Sequence, residues 1–511
     1  MQNFFEWYTT NSNQNCPWLI LGKGPSFEKH RDFDLSGYQL MSLNHVVEQL
    51  PVTAAHIIDL DVVSSCHEAI DRNAKFLVMP WIPHVDNRPG ELTLAELVRQ
   101  DVFLDQLDKQ GRLLFYDHLQ NRRSGKGPLV RVHFFSSEAA IDLLAKAGVD
   151  QIRTLGVDGG TTYGASFGTL SETTLLANGR KSFNKQFGPI AQTILETGAD
   201  VAPLDIESPI RVYVATTEEQ MLAVRVLEYS IRKHASMTVE VHPLHLGGIS
   251  IPTPQEKQNW PRTPFSFQRF LIPRLAGHQG RAIYLDSDMQ VFRDIRDIWT
   301  LPFKGSQLLA VAEPGDTGRR PQFSVMLLDC GALDWDIEEI VAQLDSGALS
   351  YERLMYDMAI AKVRADIDSA WNCLERFDPK ETALLHYTDM STQPWVSTLN
   401  PLAYLWFRDL FEALECGAID KTYIRDHVDR GYLRPSLWYQ IEHGIEDPLL
   451  LPRSAKKLDA SFTAAFKKIH SHGALPWTNQ VALARSIARD FARRTGATAF
   501  LKRVQARFDR S

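Results

Sequence analysis

Short apolar runs punctuate the first two hundred residues. They are "PWLILGKGPSFEKH" (17–30), "AAHIIDLDVV" (54–63), "KFLVMPWI" (75–82), "RLLFYDH" (112–118) and "QIRTLGVDGG" (151–160). The first reads as a buried strand, a glycine-rich turn and then a helix or loop, and the others as further short strands. Between them lie stretches of helical period such as "SSEAAIDLLAKAG" (136–148), where Ser136 and Ser137 offer a cap and Gly148 a stop. Strands alternating with helices predict an α/β fold with a parallel sheet. "VAPLDIESP" (201–209), with two prolines and no periodicity, predicts a linker. A second α/β pattern then begins: strand "IRVYVATTEEQ" (210–220), helix 218–235, strand "MTVEVHPL", a proline-rich loop 249–264, helix "SFQRFLIPRLAG" and strand "RAIYLDSDMQVF". After about residue 400 the pattern turns helical and aromatic. The expected architecture is two Rossmann-like α/β domains, 1–205 and 208–400, followed by a helical extension, 401–511.

Length and composition fit this division. A chain of 511 residues exceeds one core. Apolar residues make up 44% and charged residues 23%, ordinary values for a soluble globular protein. A net charge of −7 argues against general nucleic-acid binding. The five cysteines (Cys16, Cys66, Cys330, Cys373, Cys416) form no CxxC pair, so no thiolate metal site is expected and a reducing compartment suits the chain. The N-terminal residues lack the basic start and apolar run of a signal peptide, and no stretch approaches the roughly 20 apolar residues that span a bilayer. These features lead us to expect a cytoplasmic location, at most peripherally membrane-attached.

Candidate chemistry concentrates in "YLDSDMQVF" (284–292). Acids at the C-terminal end of a parallel strand stand where open α/β sheets bind ligands. In an extended segment residues i and i+2 share a face, so Asp286 and Asp288 can share one cation. Hard carboxylate oxygens suit Mg²⁺ or Mn²⁺, which bridge to substrate phosphates. The bare tripeptide also fits a strand-end turn, so its surroundings decide.

"FSFQRFLIPRLAGHQGRAIYLDSDMQVFRDI" (265–295) resembles the central block of glycosyltransferase family 8 and related GT-A enzymes, in which an arginine-bearing helix precedes a strand ending in DxD. "IRVYVATTEEQ" (210–220) is similar to that family's nucleotide-binding strand, "FSVMLLDC" (323–330) to its "FNSGVMLLD" strand and "LLHYTDMSTQPW" (384–395) to its "HYxGxxKPW" block. The resemblance covers roughly 208–400. It implies a retaining hexosyltransferase using a UDP-sugar and Mn²⁺ or Mg²⁺. Asp286, Asp288 and His386 would hold the metal, and Asp286 would also touch the ribose. Thr216 and Thr217 would meet the base or ribose, Arg269 would stand near the donor, and Asp357 would bind the transferred sugar. Gln393 stands where the family has a phosphate-binding lysine, and the Asn-Ser-Gly is not intact, which leaves the donor sugar open.

The glycine turn "ILGKGPSF" (20–27) is neither a Walker loop nor a full GxGxxG, since Phe27 occupies the third glycine position. Its amides could cradle phosphate, or the turn could simply be a tight strand exit. Together with "SLNHVV" (42–47), "AHIIDLDV" (55–62) and "IRTLGVDGGTTYG" (152–164), it resembles the bacterial sialyltransferases of family 42. That implies a metal-free CMP-sugar site with Gly22, Gly24, Pro25 and Ser26 at the phosphate, Asn44 at nucleotide or sugar, and Asp158 and Tyr163 at the pocket edge. No histidine follows Gly164 in this domain to serve as that family's base; His84, His118 and His133 are available but do not match in position.

The last segment, 479–510, holds eight basic residues (Arg485, Arg489, Arg493, Arg494, Lys502, Arg503, Arg507, Arg510) against Asp490 and Asp509. Its apolar residues recur at helical spacing, which predicts a basic amphipathic helix suited to an anionic membrane or to packing on the domain. The combined expectation is a glycosyltransferase acting on a glycan or lipid-linked acceptor in bacterial surface polysaccharide or lipopolysaccharide synthesis. A bifunctional enzyme with a CMP-sugar site in the N-terminal domain is the first alternative. Alternatives of another class are a metal-dependent phosphohydrolase and a sugar-nucleotide-binding assembly protein.

Overall fold

A computed structural model describes residues 1–11, 16–118, 122–170, 182–263, 265–312, 323–358 and 362–464. The predicted basic helix at 479–510 lies outside the described residues. The chain divides into two compact units. One comprises Met1–Ile210 with Arg232–Glu240, and the other comprises Arg211–Ile231 with the described residues from Val241 on.

The first unit is built on eight strands: β1 (Gln2–Asn3), β2 (Trp18–Leu21), β3 (Gln39–Leu43), β4 (Val52–His56), β5 (Ala74–Pro80), β6 (Leu113–Tyr116), β7 (Gln151–Leu155) and β8 (Asp200–Pro203). They lie in the order β1-β6-β5-β4-β3-β2-β7-β8, and every pair is parallel. All four side chains of β2 and all four of β6 are buried, so the apolar runs reflect cover on both faces. The chain steps outward from β2 to β6, then returns through α2 (Ser136–Lys146) to add β7 on the other side of β2. This reversal opens a crevice beyond the carboxyl ends of β2 and β7, where doubly wound sheets bind ligands.

Several boundaries differ from expectation. The run 54–63 is not one strand: β4 ends at His56, and α1 (Leu60–Asn73) begins after Asp59. The expected linker 201–209 contains β8, which pairs with β7. The N-cap of α2 is Phe135 without a side-chain cap bond, so Ser136 and Ser137 do not serve as caps. Instead the carboxylate of Glu138 accepts from the amides of His133 and Phe134.

The remaining strands, which lie mostly in the second unit, are β9 (Ile210–Ala215), β10 (Val239–Pro243), β11 (Arg281–Asp286), β12 (Met289–Val291), β13 (Leu308–Val311), β14 (Val325–Asp329), β15 (Val363–Ile367), β16 (Cys373–Leu374) and β17 (Leu384–His386). Six of them form a mixed sheet, β10-β9-β11-β14-β13-β15; β12, β17 and β16 form a small second sheet. The segment 284–292 is therefore two strands rather than one, broken at Ser287-Asp288 as the chain passes from one sheet to the other. The expected helix in "SFQRFLIPRLAG" is a 3₁₀ turn, Gln268–Leu271, followed by one short α turn, Ile272–Leu275. Pro273 sits in the first turn, where its missing N–H is tolerated. Beyond residue 400 come α7 (Ala403–Glu415), α8 (Lys421–Asp429) and α9 (Pro435–His443). No helix among the described residues is long and apolar enough to cross a membrane.

Candidate functional site

The two sheets of the second unit converge on one group of side chains. Parallel pairing sets Ala215 of β9 beside Asp286 of β11, so Thr216 and Thr217 leave β9 next to the first acid. Antiparallel pairing sets Met289 of β12 opposite His386 of β17, and the Tyr387 amide donates to the Asp288 carbonyl at 2.8 Å. Residues a hundred positions apart are thereby fixed by backbone register. One ligand atom each from Asp286, Asp288 and His386 lies within 4.8 Å of the others. His386 Nε2 stands 3.1 Å from Asp288 Oδ1 and 4.0 Å from Asp286 Oδ2.

Neighbouring groups hold each member. Tyr284 donates to Asp286 Oδ1 at 2.6 Å, and burial pushes that hydroxyl well above its ordinary pKa, so it stays a donor. Arg269 lies 3.9 Å from the same oxygen, stacks over the Tyr284 ring at 4.6 Å and donates to Phe323 O at 3.0 Å. Gln393 donates to Asp288 Oδ2 at 2.9 Å and to Tyr387 O at 3.2 Å. Ser287 donates to Gln220 at 2.5 Å. Burial alone would lower the His386 pKa, but Asp288, and then Asp286, outweigh it and raise it. Two carboxylates with one imidazole form a mostly oxygen donor set, which fits a hard divalent ion such as Mn²⁺ or Mg²⁺.

The remaining expected residues of this unit fall in two places. Thr216 is buried; its amide donates to Gln268 Oε1 at 2.9 Å and its carbonyl accepts from Gln268 Nε2 at 2.8 Å. Thr217 is half-buried at the start of the turn Glu218–Gln220. Asp357 lies exposed just beyond α6 (Tyr351–Tyr356), outside the three-residue group. Gln220, Tyr284 and Asn372 were not expected. Asn372 closes a 3₁₀ turn and had no legible signal, because its side-chain contact is with a residue 14 positions on.

In the first unit, Gly22, Gly24, Asn44, Asp158 and Tyr163 line one cavity of about 620 Å³; Pro25 and Ser26 lie outside its lining. The amides expected to cradle phosphate are taken up inside the fold. Gly22 N donates to Leu155 O at 2.7 Å, Gly24 N to Gly156 O at 2.8 Å and Ser26 N to Asp158 Oδ2 at 2.7 Å. Besides Asn44 and Asp158, Lys23, His84 and His118 add polar side chains to the cavity. Lys23 Nζ lies 4.8 Å over the Tyr163 ring, and burial lowers its pKa to about 8. His84 and His118 meet Nε2 to Nε2 at 3.2 Å, and burial followed by His84 lowers His118 to about 3, so its ring is neutral. Asn44 has a φ of 54° and leaves its buried Oδ1 without a partner among the described residues.

Residues 196–345 match the family model described as glycosyl transferase family 8. A curated relative, "Protein CDI" of Arabidopsis thaliana, is 33% identical over 100 residues, which is 19% of this chain and 38% of that protein's length. Among solved structures, the glycosyltransferase GlyE of Streptococcus pneumoniae TIGR4 aligns at 16% identity and a TM-score of 0.29, covering 40% of this chain and 60% of that one. Mouse xyloside xylosyltransferase 1 aligns at 13% identity and a TM-score of 0.25, covering 35% and 97%. The galactosyltransferase LgtC, in complex with donor and acceptor sugar analogues, aligns at 13% identity and a TM-score of 0.24, covering 36% and 89%.

Proposed function

We propose that the second unit is a metal-dependent glycosyltransferase that moves a hexose from a UDP-sugar to a glycan or lipid-linked acceptor. The observation that carries this reading is the convergence of Asp286, Asp288 and His386 inside a segment whose larger part matches the family-8 model. Asp288 and His386 Nε2 are assigned as metal ligands, and Asp286 as ligand and ribose contact. A divalent ion held there would supply Lewis-acid neutralisation of the diphosphate leaving group. Tyr284 and Arg269 keep Asp286 oriented; Thr216 and Thr217 border the nucleotide; Asp357 is assigned to the transferred sugar. Gln393 adds no charge and is already bonded to Asp288, so diphosphate charge is balanced by the metal more than by the protein. Retention of anomeric configuration and a role in bacterial surface polysaccharide or lipopolysaccharide assembly belong to the same proposal.

The test is UDP release from a panel of UDP-sugars with an acceptor, with Mn²⁺ and with EDTA. Turnover should require the metal and disappear in Asp288→Ala, while the circular dichroism spectrum stays unchanged. Undiminished turnover of that variant in EDTA would reject the metal assignment.

A second reading concerns the first unit. Five of the seven residues expected at a CMP-sugar site line its cavity, so we propose that it binds a nucleotide without metal. Titration of full-length Asp288→Ala with CMP, UMP and GMP in EDTA tests this; no binding at millimolar ligand would leave the cavity without a nucleotide role.

A further inference from the structure

The ring of His386 is gripped from both sides. Its Nε2 faces the two carboxylates, while its Nδ1 lies 3.0 Å from the side-chain oxygen of Asn372. An amide oxygen only accepts, so Nδ1 must carry a proton and donate. A neutral imidazole has one proton; Asp288 Oδ1, 3.1 Å from Nε2, competes for it, and the Asn372 oxygen holds it at Nδ1, which frees the Nε2 lone pair for an ion between the ring and the two carboxylates. The other tautomer would point an N–H at the place where the ion must bind. We propose that Asn372 is a positioning residue that fixes the His386 tautomer and ring orientation, delivering Nε2 as a ready metal ligand. This rests on the metal-dependent reading above.

Asn372 is suited to this by its anchoring. It closes the 3₁₀ turn Ser369–Asn372, whose N-cap Asp368 accepts from the Ala370 amide at 2.8 Å. The chain then enters β16, where Leu374 is registered against His386 itself. The Ala370 carbonyl accepts from Ala383 at 2.9 Å, tying the start of the turn to the strand that carries the histidine. Asn372 is thus pinned on both sides and set at a fixed distance from the ring. His386 is only 5% exposed, so water is a poor substitute partner at Nδ1. Carboxylates often play this part behind metal-bound histidines. An amide achieves the same orientation without adding a third negative charge beside Asp286 and Asp288.

The experiment measures Mn²⁺ affinity by calorimetry for the full chain and for Asn372→Leu, Asn372→Asp and Asp288→Ala, alongside ¹⁵N-histidine spectra of metal-free protein at a pH where the ring is neutral. Asn372→Leu should bind Mn²⁺ about 10–100-fold more weakly. Its His386 signal should move from the Nδ1–H tautomer to a mixture. Asn372→Asp, which keeps an acceptor, should restore both. Should the leucine variant not fold, Asn372→Ala replaces it. Wild-type affinity and an unchanged tautomer in a folded variant would overturn the proposal. The two readings fail separately: a wild-type chain that binds no Mn²⁺ rejects the metal site, whereas the tautomer spectra test Asn372 with no metal present.

Discussion

Gly22 and Gly156 stand back to back at the carboxyl ends of β2 and β7. A β carbon on Gly22 would lie 2.3 Å from the Gly156 carbonyl oxygen, and one on Gly156, whose φ is +77°, would lie 2.1 Å from that of Gly22. Both obstacles are backbone, which cannot swing aside. The first glycine of the turn is therefore needed for strand-end packing. Gly22→Ala is expected to destabilise the protein by about 1–3 kcal/mol, the usual cost of overpacking. Chemical denaturation followed by tryptophan fluorescence measures it, and an unshifted midpoint would contradict the packing account. The sequence made the turn visible but not what it faces, because its partner lies more than a hundred residues away. Gln393 is a similar case. Its departure from the family's lysine was legible, whereas its bond to Asp288 depends on tertiary register.

At the scale of elements, alternation of strand and helix was legible because the sheet of the first unit is covered on both faces, and continuous apolar runs result. Boundaries were harder. "AAHIIDLDVV" has no period to separate the end of β4 from the start of α1, and the expected helix around Pro273 is two short turns. The DxD strand was legible as a run, but its break between two sheets was not. That break is stabilised by a buried polar chain. Gln290 of β12 donates to Leu405 O of α7 at 3.0 Å and to Asp409, and accepts from Tyr387, just after β17, at 2.8 Å. One fully buried side chain thus joins α7 to β12, which follows Asp288, and to Tyr387, which follows His386 at the end of β17. Gln290→Leu keeps similar bulk but removes the shared partner of three polar groups. The expected loss is about 1–3 kcal/mol, the cost of leaving the buried Tyr387 hydroxyl without its Gln290 partner. A thermal melt reads the loss, and calorimetry should show weaker Mn²⁺ binding in the same variant. A melt that matches wild type would mean that the chain is not structurally important.

At the scale of the whole molecule, charge is unevenly distributed along the sequence. The segment 479–511 carries eight basic and two acidic residues, a net +6; subtracting it from −7 leaves −13 on residues 1–478. The last segment is thus the part of the chain whose net charge favours an anionic bilayer. Each basic side chain near such a surface contributes about 1 kcal/mol. The attraction falls with salt, as the screening length shrinks from roughly 10 Å at 0.1 M to roughly 3 Å at 1 M. If the segment is a membrane-surface helix, deleting 479–511 should release the protein from phosphatidylserine vesicles. It should spare sugar transfer to a short soluble acceptor, because the Asp286, Asp288 and His386 group lies wholly before it. Changing Arg489, Arg493 and Arg494 together to Glu should also release the protein from vesicles, and it leaves the apolar positions of the helical pattern intact. A helix packed on the protein instead predicts that the deletion lowers the melting temperature by uncovering apolar surface, with vesicle binding unchanged. Vesicle sedimentation at 0.1 M and 1 M salt, read together with a melting curve on the same truncated protein, separates the two. A truncated protein that melts several degrees lower and still sediments with vesicles would rule out membrane attachment through this segment.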